Sequence, residues 1–387
     1  MSSVTVVGLD GAALPPGATQ ALAAAHVVVG APHQLAAVPV PAGVVVLGPS
    51  ELDRLPDTSP VVVLASGDPG FFGIVRALRT RGLRPVVLPA LSSVARAFAV
   101  LGRSWDDVVV VSAHGRSLRR ALNVCRAHPA VAVLTGPGTA AVEIIAGLAG
   151  WRRTVLVAED LGGPDERVRR FDGGPLRDPH VVLCLADEQA VPARGWIAGG
   201  EPVPPATGWA LEEAEFSHRD GMITKSEVRA LALARLAPGP GRLVWDLGAG
   251  SGSVGVECAR LGAAVVAVER DPAQCVRLVA NASAHRVDIR VIEGQAPAVL
   301  SGLPEPDAVF VGGGGPDVVR AAAQASPRVV VALAALDRLV PCRAALREAG
   351  HQVEGVQLAA SRFAELPDGS VRLAATNPVL LLWGLRR

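Results

Sequence analysis

Short runs of β-branched and other apolar residues alternate along the whole chain with longer segments, rich in Ala, Leu and Arg, whose apolar positions recur at helical spacing. Such alternation is typical of parallel sheets covered by helices, so the pattern predicts an α/β protein. In the first half it predicts eight strands, at Val4–Gly8, Val27–Gly30, Val61–Ala65, Val86–Pro89, Val108–Ser112, Val131–Thr135, Thr154–Glu159 and Val181–Ala186.

The second half is predicted to run in the order strand, glycine-rich loop, helix, strand. The strand Leu243–Leu247 leads into the loop Gly248–Ser253, then a helix that ends near Arg260 and a strand at Ala264–Glu269. We expect a parallel sheet that ends in an antiparallel hairpin. Its later strands are predicted at Asp288–Ile292, Ala308–Val311, Arg328–Leu333, Gln352–Ala359 and Val379–Trp383.

The length of 387 residues exceeds what one hydrophobic core usually supports, because single cores stop growing near ~250–300 residues. Proline and glycine crowd together between Val191 and Trp209, which is typical of a linker. We therefore predict two domains, residues 1–200 and residues 201–387.

Charge and composition disfavour a nucleic-acid partner. The chain has 37 basic and 36 acidic side chains, and only 3% of its residues are aromatic. Proteins that bind nucleic acid usually show a basic excess gathered into patches with interleaved aromatic residues. Lys225 is the single lysine, which marks it as a candidate because lysine and arginine bind ligands differently.

The five cysteines are odd in number, widely spaced and free of any C-x-x-C pair, which predicts a reduced, cytoplasmic protein. The start of the chain lacks the basic and apolar regions of a signal peptide, and the apolar runs are too interrupted to span a membrane. Because the histidines lack metal-site spacing, no metal is expected.

The stretch Asp246–Ser253 is an apolar strand that enters a glycine-rich turn at the start of a helix. A dinucleotide site needs the spacing G-x-G-x-x-G, whereas Gly248, Gly250 and Gly252 give G-x-G-x-G. S-adenosylmethionine (SAM) has no pyrophosphate to place on the helix N-terminus, so the turn fits SAM better than NAD or FAD. Glu269 ends the next strand, where a carboxylate can accept hydrogen bonds from both ribose hydroxyls.

These features, with Gly294–Pro297, resemble the class I SAM-dependent methyltransferases, and the upstream block Phe216–Arg229 is similar to the decarboxylating precorrin methyltransferases of cobalamin biosynthesis. The resemblance implies a Rossmann-like fold for this half, SAM as the methyl donor, and Lys225 close to the pocket. The SAM contacts that it implies are Thr224, Asp246, Gly248, Ala249, Gly250, Ser251, Gly252, Glu269, Gln295 and Ala296.

Two local patterns in this half carry alternatives. Thr224-x-x-Glu227 predicts a capping box that opens the helix Ser226–Leu236, or simply a helix start. The segment Val309–Gly315 stands where many nucleic-acid and amine methylases carry an Asn/Asp-Pro-Pro-Tyr loop. Its four glycines either clear space for a bulky substrate or form a plain connector.

In the first half, the loop Gly67-Asp68-Pro69 resembles that of the tetrapyrrole methylases, a separate SAM-binding fold with two α/β subdomains. The family order is also met by Pro89–Ser93, Ser112–Arg116, Leu134–Gly136 and Ala158–Gly162. The resemblance implies a second SAM site at Gly67, Asp68, Pro69, Ser92 and Ser93. The first loop, Val7–Gly11, departs from the family because it is shortened and lacks the middle glycine.

Together the resemblances imply a fusion enzyme that methylates precorrin-6B at carbons 5 and 15 and removes CO2 from the ring C acetate, giving precorrin-8X. We assign carbon 5 to the N-terminal domain, and carbon 15 with decarboxylation to the C-terminal domain. Methyl transfer is an in-line displacement that mainly requires positioning, so no catalytic residue is assigned. Candidate contacts to this carboxylate-rich substrate are Lys225, Arg219, Arg116 and His114.

The implied partner is a small-molecule tetrapyrrole rather than nucleic acid or membrane. A homo-oligomer is also implied, with a tetramer through the C-terminal domain as one form. Three alternatives stay open: the same reaction on a cobalt-containing precorrin, a SAM-dependent methylase of RNA, protein or another substrate with a non-catalytic N-terminal domain, and a SAM-sensing or scaffold protein with one inactive domain.

Overall fold

The computed structural model describes residues 4–56, 59–113, 116–136, 140–177, 180–186, 198–199 and 208–386. The strands form three large sheets and one separate two-stranded sheet, and helices connect the strands of the large sheets, so the predicted α/β class is confirmed. The predicted linker from Val191 to Trp209 lies almost wholly outside the described residues. No helix in the described ranges is long and apolar enough to cross a membrane.

The first sheet is wholly parallel. Its strands are β1 (Val4–Leu9), β2 (Val27–Val29), β3 (Val45–Leu47), β4 (Val61–Ser66) and β5 (Val86–Leu88), in the order β3-β2-β4-β1-β5. The helices of this unit are α1 (Ala18–Ala23), α2 (Pro32–Ala36) and α3 (Ile74–Thr80), with a 3-10 helix at Pro49–Arg54. The next helix, α4 (Ser93–Leu101), follows β5 but packs against the second sheet. The central strands β1 and β4 carry most of the buried valines.

The second sheet is mixed: one pair of strands is parallel and the other pairs are antiparallel. Its strands are β6 (Val109–Ser112), β7 (Ala130–Leu134), β8 (Arg153–Glu159), β9 (Arg167–Arg170) and β10 (His180–Ala186), in the order β6-β7-β10-β8-β9. Its helices are α5 (Leu118–Ala127) and α6 (Ala140–Gly147). The first half thus consists of two α/β units, as the tetrapyrrole-methylase resemblance implied.

The third sheet has seven strands in the order β13-β12-β11-β14-β15-β19-β16. They are β11 (Leu243–Leu247), β12 (Ala264–Glu269), β13 (Arg290–Glu293), β14 (Ala308–Val311), β15 (Arg328–Leu333), β16 (Gln352–Leu358) and β19 (Val379–Leu385). The helices are α7 (Ser226–Leu236), α8 (Ser253–Arg260), α9 (Pro272–Ala284), α10 (Pro316–Ala325) and α11 (Leu339–Glu348). A separate hairpin, β17 (Ser361–Glu365) and β18 (Val371–Ala375), lies between β16 and β19 in sequence.

Side-chain alternation along β11 determines which residues enter each layer of the third sheet. Leu243, Trp245 and Leu247 pack with α10 and α11 on one face. Val244 packs on the other face with α7, α8 and α9. The same alternation directs the buried Asp246 towards α8. The fold therefore buries a carboxylate directly below the glycine-rich turn.

The predicted strands of the second half are confirmed most closely where a strand is buried on both faces. Leu243–Leu247, Ala264–Glu269, Ala308–Val311 and Arg328–Leu333 are observed at the predicted residues. Strand β19 is antiparallel to both β15 and β16, which confirms the predicted antiparallel end of the sheet. The sequence missed four short strands at edges or in the hairpin: β3, β9, β17 and β18. These strands expose most of their side chains, so they lack a strong apolar pattern.

Helix α7 begins where it was predicted, but the predicted capping box is wrong. Its N-cap residue is Lys225, one residue after Thr224, and it makes no side-chain capping hydrogen bond. Instead, the Glu213 Oε1 atom accepts a hydrogen bond from the Ser226 amide at 2.7 Å. Sequence spacing misplaced the cap because the capping carboxylate comes from 13 residues upstream.

Trp151, just before β8, joins the N-terminal half to the third sheet. It is 7% exposed and belongs to the same core cluster as Leu243 and Leu300. The guanidinium carbons of Arg126 and Arg290 lie 4.5 Å and 5.1 Å from its ring centroid. Arg126 is on α5 and Arg290 is in β13. The indole ring therefore contacts one guanidinium from the N-terminal half and one from the third sheet.

Polar contacts surround this tryptophan and reach the amino ends of the strands in the third sheet. They join Arg153 Nη1 to Asp288 Oδ2 (2.6 Å), Asn123 Nδ2 to the Gly241 carbonyl (3.1 Å), and Arg119 Nη1 to Asp307 Oδ1 (2.6 Å). Each acceptor precedes a strand of that sheet. The N-terminal half therefore covers the amino edge of the third sheet.

Replacing Trp151 by alanine tests this contact. We expect Trp151→Ala to lower the free energy of unfolding by about 3–5 kcal/mol, because it opens a cavity in a shared core. The matched control is Trp105→Ala, since Trp105 is 43% exposed and should cost less than about 1 kcal/mol. Urea unfolding followed by circular dichroism makes the comparison. If both variants lowered the free energy of unfolding equally, Trp151 would not contribute to a core shared by the two halves.

Candidate functional site

The candidate donor site lies at the carboxyl edge of the third sheet. Strands β11, β12, β13 and β14 are parallel neighbours, so their carboxyl ends share this edge. The glycine-rich turn follows β11, Glu269 ends β12, the loop Gly294–Pro297 follows β13, and the loop Gly312–Gly315 follows β14. In open α/β sheets ligands bind at this edge. The fold thus brings together four features that the sequence predicted separately.

The glycine-rich turn packs backbone to backbone against the loop after β14. A Cβ atom built on Gly248 would lie 2.9 Å from the backbone nitrogen of Gly313, and the φ of Gly248 is +68°. Both the close approach and the left-handed backbone therefore require glycine here. At Gly250, in contrast, a Cβ atom would meet nothing within 4 Å. The backbone at Gly250 is therefore not covered on this side by another described residue.

Asp246 lies beneath the turn and is 1% exposed. Its Oδ2 atom accepts a hydrogen bond from the Gly255 amide at 2.8 Å, whereas its Oδ1 atom is buried and has no partner among the residues that the structure describes. Burial raises the pKa of this carboxyl to about 7, and the nearby Glu269 charge acts in the same direction. A buried, unpartnered carboxylate oxygen is costly, which is a reason to expect a ligand or a proton at this position.

The carboxylate of Glu269 is fixed at the end of β12 by backbone amides. Oε2 accepts a hydrogen bond from Gly250 at 2.9 Å, and Oε1 accepts hydrogen bonds from Arg270 and Asp271, each at 2.9 Å. The Gly294 amide donates to the carbonyl oxygen of Glu269 at 2.9 Å. The loop after β13 therefore starts beside Glu269, and there Gln295 is exposed while Ala296 is half-buried. A half-buried carboxylate held in this way can still accept hydroxyl groups from a sugar.

Within the turn, Ala249 is half-buried and Ser251 is 2% exposed. A Cβ atom built on Gly252 would lie 2.5 Å from the Leu278 Cγ atom, so α9 packs directly against the end of the turn. The predicted cofactor contacts therefore divide into two groups. Gly250 and Ala249 border accessible space, whereas Ser251 and Gly252 support the turn from below.

The segment before α7 is attached to α9 at three points. The Arg219 Nη1 atom lies 3.2 Å from Asp271 Oδ2, at the start of α9. The Ser217 backbone hydrogen-bonds with Asn281, and the ring of Phe216 lies 4.8 Å from that of His285. The sequence missed these α9 partners, since each lies more than 50 residues from its contact. The available signal was a polar residue, Asn281, beside Leu278 and Ala282 on the buried face of α9.

Thr224 and Lys225 follow this segment and are both half-buried. The Thr224 carbonyl accepts a hydrogen bond from Arg229 Nη1 at 2.5 Å. Next to them, the Arg362 guanidinium forms ion pairs with Glu213 and with Glu227. Hydrogen bonds from Arg362 lower the pKa of Glu213 to about 2, and the Lys225 charge contributes further. A salt-bridge network thus ties the β17–β18 hairpin to the start of α7.

In the first half, loops after β1, β4 and β5 converge. A Cβ atom on Gly8 would lie 2.6 Å from the Gly67 carbonyl oxygen and 2.7 Å from the Ala90 nitrogen. The Asp68 Oδ1 atom accepts a hydrogen bond from the Gly70 amide at 2.8 Å, and Pro69 is buried. These loops meet at one edge of the first sheet, where the sequence predicted a single site.

The two predicted serines lie at the start of α4. The Ser92 Oγ atom accepts a hydrogen bond from the Ala95 amide at 3.1 Å, so Ser92 is the N-cap of that helix. Ser93 is the first helical residue and is half-buried. Arg116 is exposed beyond β6, whereas His114 lies outside the described residues.

The shortened first loop packs against a loop of the second sheet. A Cβ atom on Gly162 would collide with the Asp10 carbonyl group, so only glycine allows this approach. Arg96 forms an ion pair with Glu166, which also accepts a hydrogen bond from the Gly162 amide at 2.5 Å. The Asp10 Oδ2 atom accepts a hydrogen bond from the Leu91 amide at 3.2 Å. The first loop is therefore held in place by contacts between the two α/β units.

Two family models match this chain. The model described as "Precorrin methyltransferase domain" matches residues 214–367, and that described as "Tetrapyrrole (Corrin/Porphyrin) Methylases" matches residues 7–176. The first match covers the candidate donor site at the third sheet. The second covers the converging loops of the first half.

Named relatives agree with these matches. A Sinorhizobium protein named "Precorrin-6Y C(5,15)-methyltransferase (decarboxylating)" is 41% identical over 69% of this chain and 66% of its own length, just under two thirds. A Pyrobaculum calidifontis protein named "Probable cobalt-precorrin-6B C(15)-methyltransferase (decarboxylating)" is 35% identical over 43% of this chain and 91% of its own length. The solved C-terminal domain of precorrin-6Y C5,15-methyltransferase from Rhodobacter capsulatus is 33% identical over 48% of this chain and 98% of that chain, with a TM-score of 0.41.

The buried Asp246 carboxyl predicts a pH-dependent cost in stability. Its folded pKa of about 7 lies above the ordinary aspartate pKa of 3.8, so folding takes up a proton between these pH values and the free energy of unfolding falls as pH rises through them. Asp246→Asn removes this cost. We expect the variant to gain on the order of 3 kcal/mol of unfolding free energy relative to wild type between pH 4 and pH 8. Urea unfolding at several pH values measures it, and parallel stability curves would contradict it.

Proposed function

The chain belongs to the family of the decarboxylating precorrin-6Y C(5,15)-methyltransferases, and on that premise we propose that it methylates precorrin-6B at carbons 5 and 15 with SAM as the donor. The reaction also removes CO2 from the ring C acetate and gives precorrin-8X. The observation that carries the proposal is the cradle at the carboxyl edge of the third sheet, where Gly250 borders open space between Glu269 and the unpartnered Asp246 oxygen.

The residues of this cradle fit SAM. Glu269 accepts the two ribose hydroxyls, since its carboxylate is already oriented by three backbone amides. Asp246 and the turn hold the amino-acid end, and Gln295 and Ala296 border the adenine. SAM supplies an electrophilic methyl group on a sulfonium centre. The task of the protein is to hold the carbon nucleophile in line with that group at near-attack distance.

The substrate carries many carboxylates, which cationic side chains can clamp. Arg219 and Lys225 lie on the segment before α7, and Arg219 is 44% exposed although it pairs with Asp271 at the start of α9. A substrate carboxylate can share or replace that partner. The loop Gly312–Gly315 has no side chain beyond its backbone, so it leaves room for a macrocycle. These two features favour a tetrapyrrole over a planar amine.

We assign a second donor site to the N-terminal domain, residues 1–200, with the C-terminal domain at residues 201–387. Gly67, Asp68 and Pro69 form its loop, and Ser92 and Ser93 present the first turn of α4 towards the same edge. In this assignment the N-terminal site methylates carbon 5, with Arg116 and His114 as substrate contacts. The C-terminal site methylates carbon 15 and promotes decarboxylation.

Two matched variants of the full chain test the division of labour. We expect Glu269→Gln to lower CO2 release from precorrin-6B by at least about 100-fold, because an oriented charge in the donor cradle is lost. Gly67→Val, which strains a backbone at φ +68°, should leave CO2 release intact and prevent methylation of carbon 5. Mass spectrometry of the product, with carbon dioxide assay, measures both.

The control is a mixture of the two variants, which shows whether the two methylations can take place on separate chains. Each retains one working site, so the mixture should restore gain of two methyl groups with loss of one CO2. Release of CO2 by Glu269→Gln at the wild-type rate would refute the assignment. Turnover that requires cobalt in the substrate would instead favour the reaction named for the Pyrobaculum relative.

We also propose that the chain forms a homo-oligomer through the C-terminal domain, with a tetramer as the expected form. The support is the β17–β18 hairpin, whose outer face pairs Phe363 with Leu373 and Glu365 with Val371. Phe363 is 84% exposed and Leu373 is 64% exposed. Contiguous exposed apolar side chains on a hairpin are typical of an interaction surface, and a second copy supplies the same apolar face.

A charge placed on this surface tests the oligomer. We expect Phe363→Glu to dissociate the wild-type assembly into monomers, because the carboxylate would be buried without a partner. Leu336→Glu is the matched control, since Leu336 is 70% exposed but lies outside the hairpin. Analytical ultracentrifugation measures both. A monomeric wild type, or dissociation by the control variant instead, would contradict the proposal.

A further inference from the structure

A single buried amide connects the two walls of the C-terminal donor site. Asn281, on α9, is 3% exposed. Its Oδ1 atom accepts a hydrogen bond from the Ser217 amide at 2.8 Å. Its Nδ2 atom donates to the Ser217 carbonyl at 2.9 Å and to the Ser251 carbonyl at 2.8 Å. The side chain therefore uses both of its N–H groups and its oxygen.

The two residues that Asn281 contacts belong to different parts of the site. Ser251 is in the glycine-rich turn after β11, whereas Ser217 is in the segment that leads through Arg219 to Thr224 and Lys225. Neither contact uses a serine side chain, since both involve the backbone. The amide thus fixes main chain to main chain across 34 residues of sequence, and it does so from a helix that also packs on the turn.

We infer that Asn281 is a positioning residue that sets the spacing between the glycine-rich turn and the segment before α7, and thereby the affinity of the C-terminal site for SAM. The inference rests on the proposed function, because it assumes that this site holds SAM. Asn281 does not border the open space at Gly250 and is not assigned any contact with SAM or the substrate.

The chemistry explains why an amide serves here. Both carbonyl groups need an N–H donor, and the Ser217 amide needs an acceptor, so the position requires two donors and one acceptor on a short planar side chain. A carboxylate has the same shape but offers no donor, and it would place its charge against two carbonyl oxygens. Leucine has a similar volume but leaves all three backbone groups without this partner.

The experiment compares Asn281→Asp and Asn281→Leu with wild type in the full chain. We expect each variant to raise the dissociation constant of SAM at the C-terminal site at least about tenfold, equal to about 1.4 kcal/mol. The KM for SAM should rise with it, whereas kcat at saturating SAM should change by less than about threefold, because binding and not the chemical step is altered. Photo-crosslinking of methyl-labelled SAM with peptide mapping separates the C-terminal site from the N-terminal one.

A pH profile distinguishes positioning from general destabilisation. At low pH the carboxyl of Asn281→Asp is protonated and can donate one hydrogen bond, so its SAM affinity, taken as a ratio to wild type, should partly recover as pH falls from 8 to 5. Asn281→Leu has no titratable group at this position, and its ratio to wild type should stay constant. Two flat ratios would contradict the inference, because the hydrogen-bonding groups at this position would then not set the SAM affinity.

The matched control is Asn123→Leu, which removes another buried asparagine from a helix. Asn123 is 1% exposed and donates to the Gly241 carbonyl at the amino edge of the sheet, away from the donor site. It should lower thermal stability as Asn281→Leu does, without changing SAM affinity at the C-terminal site. Unchanged SAM affinity in both Asn281 variants, with wild type binding normally, would overturn the inference. Absence of SAM from the C-terminal peptides of wild type would instead overturn the proposed function.

Discussion

The close approach of two backbones at the carboxyl edge of the third sheet is the constraint on which the rest of this site depends. Gly248 packs against Gly313 so tightly that no side chain fits between them. The strand that carries the turn must therefore lie next to the strand before Gly313, in parallel register, and β11 and β14 do so. That register aligns β12 on the other side and brings Glu269 to the turn, while Asp246 is buried below it with one oxygen unpartnered.

The amino and carboxyl edges of the third sheet have different surroundings because of the same architecture. The N-terminal half covers the amino edge through Trp151 and its flanking ion pair from Arg153 to Asp288, both of which are buried. The candidate donor site lies at the opposite, carboxyl edge. In the first half, contacts between two α/β units close the altered first loop through Gly162. Each proposed donor site thus has its own supporting structure, which agrees with a fusion of two methyl-transferring domains.

Sequence patterns predicted the features that are local. Strands such as Leu243–Leu247 were placed to the residue because burial on both faces leaves a continuous apolar run, and the glycine spacing indicated the donor type. Long-range partners left no such pattern. Glu213, which caps α7 in place of the predicted Thr224, and Asn281, which bonds to the turn, act from distant parts of the chain. Edge strands such as β9 were missed because their exposed arginines interrupt the apolar alternation.

The proposed function requires two SAM sites in one chain, one in each half. Isothermal titration of the full chain with S-adenosylhomocysteine, the product left after methyl transfer, measures their number without any tetrapyrrole. We expect two molecules to bind per chain. A stoichiometry of one would contradict the claim and leave a single methyl-transferring domain joined to a non-catalytic partner, and no binding would refute both donor sites.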